Sequence, residues 1–157
     1  MKRKNSIEII REQLEAFRTH DIDDHVLELI NQNQQIDSNT TAGMTINDLH
    51  VMRAVQSAEG IKISEIVEQV PLTQGAVSKV VNKLASKGLV EKFHQPTNKK
   101  ESFVRLTETG KAINQIHTNY HLEEENQLEH LADHYSKDEL EKFANFMSEL
   151  NEIREKI

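Results

Sequence analysis

The sequence has 157 residues, a formal net charge of -7 and no cysteine, which excludes a disulfide framework, an iron-sulfur cluster and a thiol-based switch. Its length is that of one ordinary domain that buries its own core. No stretch approaches the roughly 18 uninterrupted apolar residues of a membrane helix, and no secretory apolar region follows the basic N-terminus. We therefore expect a soluble, cytoplasmic protein without a membrane partner.

The first part of the chain is predicted to be helical. Apolar residues recur every three or four positions from Ser6 to about Gln34, which predicts one long or kinked helix. The polar residues Asp37 to Gly43 predict a loop. Thr45 is a typical N-cap for a helix from Ile46 to about Ala58, which Gly60 would end.

Two shorter helices are predicted next, separated by a tight turn. The first runs over Ile63 to Val70, is opened by Ser64 and is ended by Pro71. The second is capped by Thr73 and runs to Lys87, with Gly88 in the position that follows a helix C-cap.

The pattern then changes to that of a β-hairpin. Two strands, 89–94 and 102–106, flank the basic, turn-forming loop 95–100. Thr107 is predicted to cap a helix that reaches about His134, and Ser136 to open a last helix with an apolar stripe.

These elements predict a mainly α fold with a small β-hairpin, arranged as a winged helix-turn-helix. In such folds the second helix of the pair enters the major groove of DNA, and the basic hairpin, or wing, contacts the backbone or the minor groove. Charge supports this interpretation, since residues 61–111 carry nine basic and five acidic side chains in an otherwise acidic chain. The residues predicted to contact double-stranded DNA are Thr73, Gln74, Gly75, Ser78, Lys79, Asn82, Lys83, Asn98, Lys99 and Lys100.

The stretch LASKGLVEKFHQPTNKKESFVRLTETG, residues 84–110, resembles the wing signature of the MarR family in spacing and order. The chain departs from that signature at Asn98 and Lys100, where the family has Asp and Arg, so the ion pair that often stiffens the wing tip is lost. The resemblance covers nearly the whole chain and implies one MarR-like domain over residues 1–157. It also implies a homodimeric regulator, most simply a repressor, that binds a pseudo-palindromic operator through 45–107 and dimerises through 1–44 and 108–157.

Eight histidines include two pairs at the i, i+4 spacing that shares a helix face, His117 with His121 and His130 with His134. Resemblance to the zinc-sensing branch of the family, which represses zinc-uptake genes, implies that one zinc ion binds His50, His117, His121 and a carboxylate of the first segment. Glu28 is the predicted carboxylate, with His25 as its substitute. The His130 and His134 pair has no such counterpart.

Several alternatives stay open at this point. A histidine pair on a polar helix is often only a solvated face, and nickel, cobalt or manganese also accept N and O ligands. A second hypothesis is a regulator without a metal that a small aromatic or anionic ligand releases from DNA. An enzyme is not expected, because the sequence has no nucleophile elbow and no glycine-rich phosphate loop. A winged helix that binds protein instead of DNA is the remaining alternative.

Overall fold

Eight helices and three strands form the part of the chain that the structure, a computed structural model, describes, residues 5–157. In chain order they are α1 (Ser6–Thr19), α2 (Ile22–Gln32), α3 (Ser38–Thr41), α4 (Ile46–Ala54), β1 (Ile61–Lys62), α5 (Ile63–Gln69), α6 (Gln74–Ser86), β2 (Val90–Gln95), β3 (Asn98–Leu106), α7 (Glu108–Ala132) and α8 (Lys137–Glu155). The backbone divides into two units, Met1–Thr118 and Asn119–Ile157. Within the described range, no helix is both long enough and apolar enough to span a membrane.

The N-terminal helical segment is interrupted, so the prediction of one long or kinked helix is wrong. The chain leaves the helical conformation at His20, and the side chain of Asp21 accepts a hydrogen bond from the backbone N–H of Asp23 at 2.9 Å. An aspartate that caps in this way starts a new helix, because it satisfies one of the first four unbonded N–H groups. The break places Asp23 in the first turn of α2.

Four further details differ from the sequence prediction. The expected loop at 37–43 contains the single turn α3, which Asp37 caps. Helix α4 ends at Ala54, about four residues early, and Lys62 rather than Ser64 precedes α5. The two-residue strand β1 was not predicted.

The second helix of the tight pair, α6, is bounded as its sequence predicts. Thr73 accepts a hydrogen bond from the N–H of Ala76 at 3.3 Å, and Gly88 adopts a φ of 71° after the last turn. The N–H of Leu89 then donates to the carbonyl of Leu84 at 2.9 Å, which completes the C-terminal motif that glycine permits. We call α6 the recognition helix.

The wing is the hairpin of β2 and β3, as predicted, and it belongs to a three-stranded antiparallel sheet in the order β1-β3-β2. Ile61 pairs with Val104, and Val90 pairs with Leu106. Strand β3 begins at Asn98, so the connecting loop is shorter than predicted. The chain therefore has the predicted mainly α, winged helix fold with one additional strand.

The core of the first unit lies among α2, α4, α5, the recognition helix, the sheet and the first half of α7. Its fully buried apolar residues are Val26, Ile30, Leu49, Val51, Met52, Val55, Ile66, Val77, Val81, Leu84, Leu89, Val104 and Ile113. Apolar residues of the recognition helix recur at steps of four and three, so its opposite, polar face is exposed.

Helix α7 begins in close contact with the segment that follows the recognition helix. The N–H of Thr107 donates to the carbonyl of Leu89 at 3.1 Å, and its hydroxyl accepts from the N–H of Gly110 at 3.1 Å. A Cβ atom at Gly110 would lie only 1.9 Å from the Leu89 carbonyl oxygen. Only glycine allows the two segments to approach this closely.

The second unit contains the last part of α7 and all of α8. Ser136 and Glu139 cap α8 reciprocally, and the N–H of Ser136 lowers the pKa of Glu139 by donating a hydrogen bond to it. Helix α8 has no buried residue, and its apolar side chains Leu140, Phe143, Phe146 and Ile153 are exposed in the single chain.

Candidate functional site

The start of the recognition helix presents half of the predicted DNA-contacting residues. Gln74, Gly75 and Lys79 are exposed, and Ser78 is half-buried on the same side. The Thr73 hydroxyl is already engaged as the helix cap. Amide and hydroxyl groups at the N-terminal end of such a helix suit base-edge recognition, and the Lys79 ammonium suits a phosphate.

Lys92 connects the wing to the recognition helix, and the sequence prediction did not include this contact. Lys92 of β2 donates a hydrogen bond from its ammonium to the side-chain carbonyl of Asn82. This bond leaves the amide N–H groups of Asn82 as the part that can donate to an acceptor on DNA. Strand alternation marks Lys92 as solvent-facing, but no sequence signal indicates its partner ten residues away.

Lys83 is directed into the protein rather than away from it. Its ammonium donates to the Asp48 carboxylate at 2.5 Å and to the carbonyl of Gly43 at 2.8 Å. Contact of Lys83 with DNA stays a prediction that this geometry does not favour.

The wing presents the basic residues that the sequence placed there. Lys99 and Lys100 are exposed, and in residues 5–157 neither ammonium makes an ion pair that would compete with a phosphate. The Asn98 side-chain oxygen accepts from the N–H groups of Lys100 and Glu101 at 3.3 and 3.2 Å. Asn98 therefore shapes the turn that displays the two lysines.

This chain lacks the Asp–Arg ion pair of the family's wing tip, but another ion pair connects β1 to the wing. Lys62 of β1 lies 2.7 Å from Glu101 of β3, and Asn98 also donates to that carboxylate. The Lys62 ammonium lowers the pKa of Glu101, and the hydrogen bond to Glu101 raises the pKa of Lys62. Both side chains are largely exposed, so the pair orients the wing more than it stabilises the fold.

A buried carboxylate joins two histidines inside the first unit. The two oxygens of Asp23 lie 2.8 Å from the Nε2 atoms of His50 and His117, one oxygen for each ring. Asp23 is 7% exposed and His117 is fully buried. The group joins α2, α4 and α7, with one side chain from each.

Within the first unit, the structure brings together two of the predicted metal ligands, His50 and His117, and Asp23 takes the place of the predicted carboxylate. Glu28 is exposed and lies 3.6 Å from His25, the predicted substitute, on another face of α2. Five residues separate Glu28 from Asp23, which is a rotation of roughly 140° around a helix with 3.6 residues per turn. His121 lies one turn after His117 on α7, where its Nδ1 atom is 3.6 Å from Glu124. Within the first unit, the carboxylate that meets both histidines is Asp23.

Asp23, His50 and His117 are a donor set that fits a transition metal. Two imidazole nitrogens and a carboxylate oxygen are common ligands of tetrahedral zinc. The same three side chains also satisfy one another when protons take the place of a metal, since each Nε2–H can donate to the carboxylate. The geometry is therefore that of a site that can hold one cation.

Comparisons with known proteins find matches for the segment that contains the recognition helix. Residues 44–102 match the model of the MarR family. An uncharacterised HTH-type transcriptional regulator of Bacillus subtilis, YhjH, is 29% identical over 105 residues, which are 67% of this chain and 60% of the relative. YvnA of the same organism, also named as an HTH-type transcriptional regulator, is 26% identical over 66% of each chain. The match spans about three fifths to two thirds of these relatives, and their names agree with the prediction that the chain is not an enzyme.

Solved structures share the fold over nearly the whole chain. FabT of Streptococcus pneumoniae, solved in complex with DNA, aligns with a TM-score of 0.67 and 18% identity over 96% of this chain and 99% of its own. The adhesin competence repressor AdcR of Streptococcus pyogenes aligns with a TM-score of 0.65 and 19% identity over 97% and 99%. ZitR of Lactococcus lactis, a zinc-responsive MarR family member, aligns with a TM-score of 0.63 and 20% identity over 91% and 97%. At these identities the likeness concerns the fold alone.

Proposed function

We propose that this chain, whose residues 44–102 match the model of the MarR family, is a cytoplasmic transcriptional regulator that binds a pseudo-palindromic DNA operator as a homodimer. The recognition helix and the wing supply the DNA-binding surface. The solved complex of FabT with DNA supports this proposal, since the two chains share a fold. Two recognition helices related by a two-fold axis would reach half-sites about one helical turn apart.

Exposed apolar side chains support the homodimer. In the single chain, Ile7 and Phe17 of α1 are exposed, and so are Phe143 and Ile153 of α8. Such residues are normally covered, and in this family the first and last helices of two subunits interlock. The proposed interface is therefore formed by the two ends of the chain.

We further propose that zinc controls DNA binding. One observation carries this proposal: a buried Asp23 carboxylate lies between His50 and His117 at 2.8 Å from each. When zinc is bound, Asp23, His50 and His117 would hold it, with His121 as the predicted fourth ligand. A zinc-responsive neighbour of the same fold, ZitR, supports this assignment.

The position of the donor set explains how an ion would affect DNA binding. His50 lies on α4, which leads into the helix-turn-helix, whereas His117 lies on α7, which leaves the wing. An ion bound to both fixes the angle between these helices. It shifts the balance between two conformations only by its difference in affinity for them.

The test measures zinc binding and operator binding on the same variants. Asp23→Asn should lose at least about tenfold in zinc affinity, because it removes a charged ligand, and operator binding should no longer respond to zinc. His121→Ala should have the same effect. Glu28→Gln is the matched control on the same helix and should behave as the parent protein does. A zinc response that survives Asp23→Asn and His121→Ala would remove the metal from the model.

A second candidate is release from DNA by a small anionic molecule. A cavity of about 340 Å³ is lined by His50, Arg53, Gln56, Gln69 and Pro71, next to the turn that precedes the recognition helix. This volume is within the range of small-ligand sites, and Arg53 offers a cation to a carboxylate. If operator binding ignores zinc, a salicylate or benzoate titration with an Arg53→Gln control would test this candidate.

A further inference from the structure

An ion pair with one buried partner joins α4 to the recognition helix, outside the predicted metal site. The Asp48 carboxylate is 1% exposed and lies 2.5 Å from the ammonium of Lys83, whose side chain is 35% exposed. Asp48 also accepts a hydrogen bond from the N–H of Thr45 at 2.8 Å, so the same oxygen caps α4. The carboxylate thus contacts both the start of one helix and the last turns of the other.

A second lysine reinforces the same contact. Lys87 lies one turn after Lys83, and its ammonium donates to the carbonyls of Thr40, at 3.3 Å, and Ala42. Lys83 itself donates to the carbonyl of Gly43 at 2.8 Å. Lys83 in the recognition helix and Lys87 at its C-cap are therefore both bound to the segment that precedes α4.

The chemistry of the pair opposes a direct role in DNA binding. If Lys83 turned outward to a phosphate, the Asp48 carboxylate would stay buried without its cation, which is strongly unfavourable. Lys79 provides the contrast, since it is exposed one turn earlier and makes no ion pair within residues 5–157. The two lysines share a helix but have different surroundings.

We propose that Asp48 and Lys83 position the recognition helix, and that Lys83 is a positioning residue rather than a phosphate contact. The pair fixes the rotation and the depth at which Gln74 and Ser78 are presented to base edges. Sequence-specific binding then depends on the pair, whereas non-specific binding, which depends on phosphate contacts, does not. The inference rests on the proposed DNA-binding function.

The experiment compares two duplexes of equal length, one selected by the parent protein from a random-sequence library and one unrelated. Lys83→Met and Asp48→Asn should each lower affinity for the selected duplex by at least about tenfold, or 1.4 kcal/mol, and leave affinity for the unrelated duplex within about twofold. Both should retain the parent's dependence of affinity on salt. Lys83→Arg should restore specific binding, because its guanidinium can still donate to Asp48.

Lys79→Met is the matched control and should weaken binding to both duplexes while reducing the salt slope by about 0.9. The inference is overturned if Lys83→Met behaves as Lys79→Met does, or if Asp48→Asn binds the selected duplex as the parent does. If Lys83→Met does not fold, Asp48→Asn and the double variant Asp48→Asn/Lys83→Met decide by the same criteria. A parent protein that selects no duplex, and a Lys79→Met variant without effect, would refute the proposed function itself.

Discussion

Gly110→Ala tests how closely α7 approaches the segment that follows the recognition helix. The added Cβ would lie 1.9 Å from the carbonyl oxygen of Leu89, and contacts under 3.0 Å are essentially never tolerated. The two segments must therefore separate by about an ångström, which strains the packing and disturbs the 3.1 Å hydrogen bond from Thr107 to Leu89. Overpacking costs about 1–3 kcal/mol and a lost hydrogen bond about 1 kcal/mol, against a gain of about 1 kcal/mol from the helix propensity of alanine.

The net expectation is a loss of about 1–3 kcal/mol, or a fall in Tm of roughly 3–10 °C for a chain of this size. Thermal unfolding followed by circular dichroism measures it. Gly75→Ala is the control, because Gly75 is also helical but a Cβ there meets nothing within 4 Å. That variant should be as stable as the parent or more stable by up to about 1 kcal/mol. A Gly110→Ala protein with the Tm of the parent would refute the close-contact argument.

Three further predictions concern the wing and the C-terminal helix. Lys99→Ala/Lys100→Ala should weaken binding to all duplexes alike and reduce the salt slope by up to about 1.8, and an unchanged slope in a salt titration would remove the wing lysines from the DNA interface. Glu101→Gln should lower the Tm at neutral pH by removing the pair with Lys62. The pKa of Glu101 is lowered from 4.5 in the folded protein, so the parent's greater stability is present above that value and is lost as the pH falls below it. A difference in Tm that persists at low pH would contradict the ion pair. Deletion from Ser136 onward should abolish the dimer and cause aggregation, and light scattering that shows a monodisperse dimer would exclude α8 from the interface.

The caps and the wing could be predicted because their signals are local. Thr45, Thr73, Thr107 and Ser136 each bond to a backbone N–H three residues ahead, so residue type and position suffice to identify them. The hairpin was equally visible, since its two strands flank a turn-forming loop. The two-residue strand β1 gave no periodicity to detect.

The candidate site could be predicted only in part because it depends on partners far apart in sequence. His50 and His117 were named in advance, but the carboxylate was assigned to Glu28 from the resemblance to the zinc-sensing branch. The cap at Asp21 restarts the helix and brings Asp23 to the histidines instead. The partner of Lys83 lies 35 residues away, and no helical spacing indicates it.

The strand β1 couples the wing mechanically to the helix-turn-helix. Lys62 pairs with Phe103 in the sheet and binds Glu101 of β3. Its backbone N–H also donates a hydrogen bond to the carboxylate of Glu65 in α5. Under the proposed function, a force that bends the wing against DNA would act within one residue on α5, the helix that packs against the recognition helix. The recognition helix and the wing would then tilt together. The connection through β1 would resist a change in the spacing between their contacts with DNA.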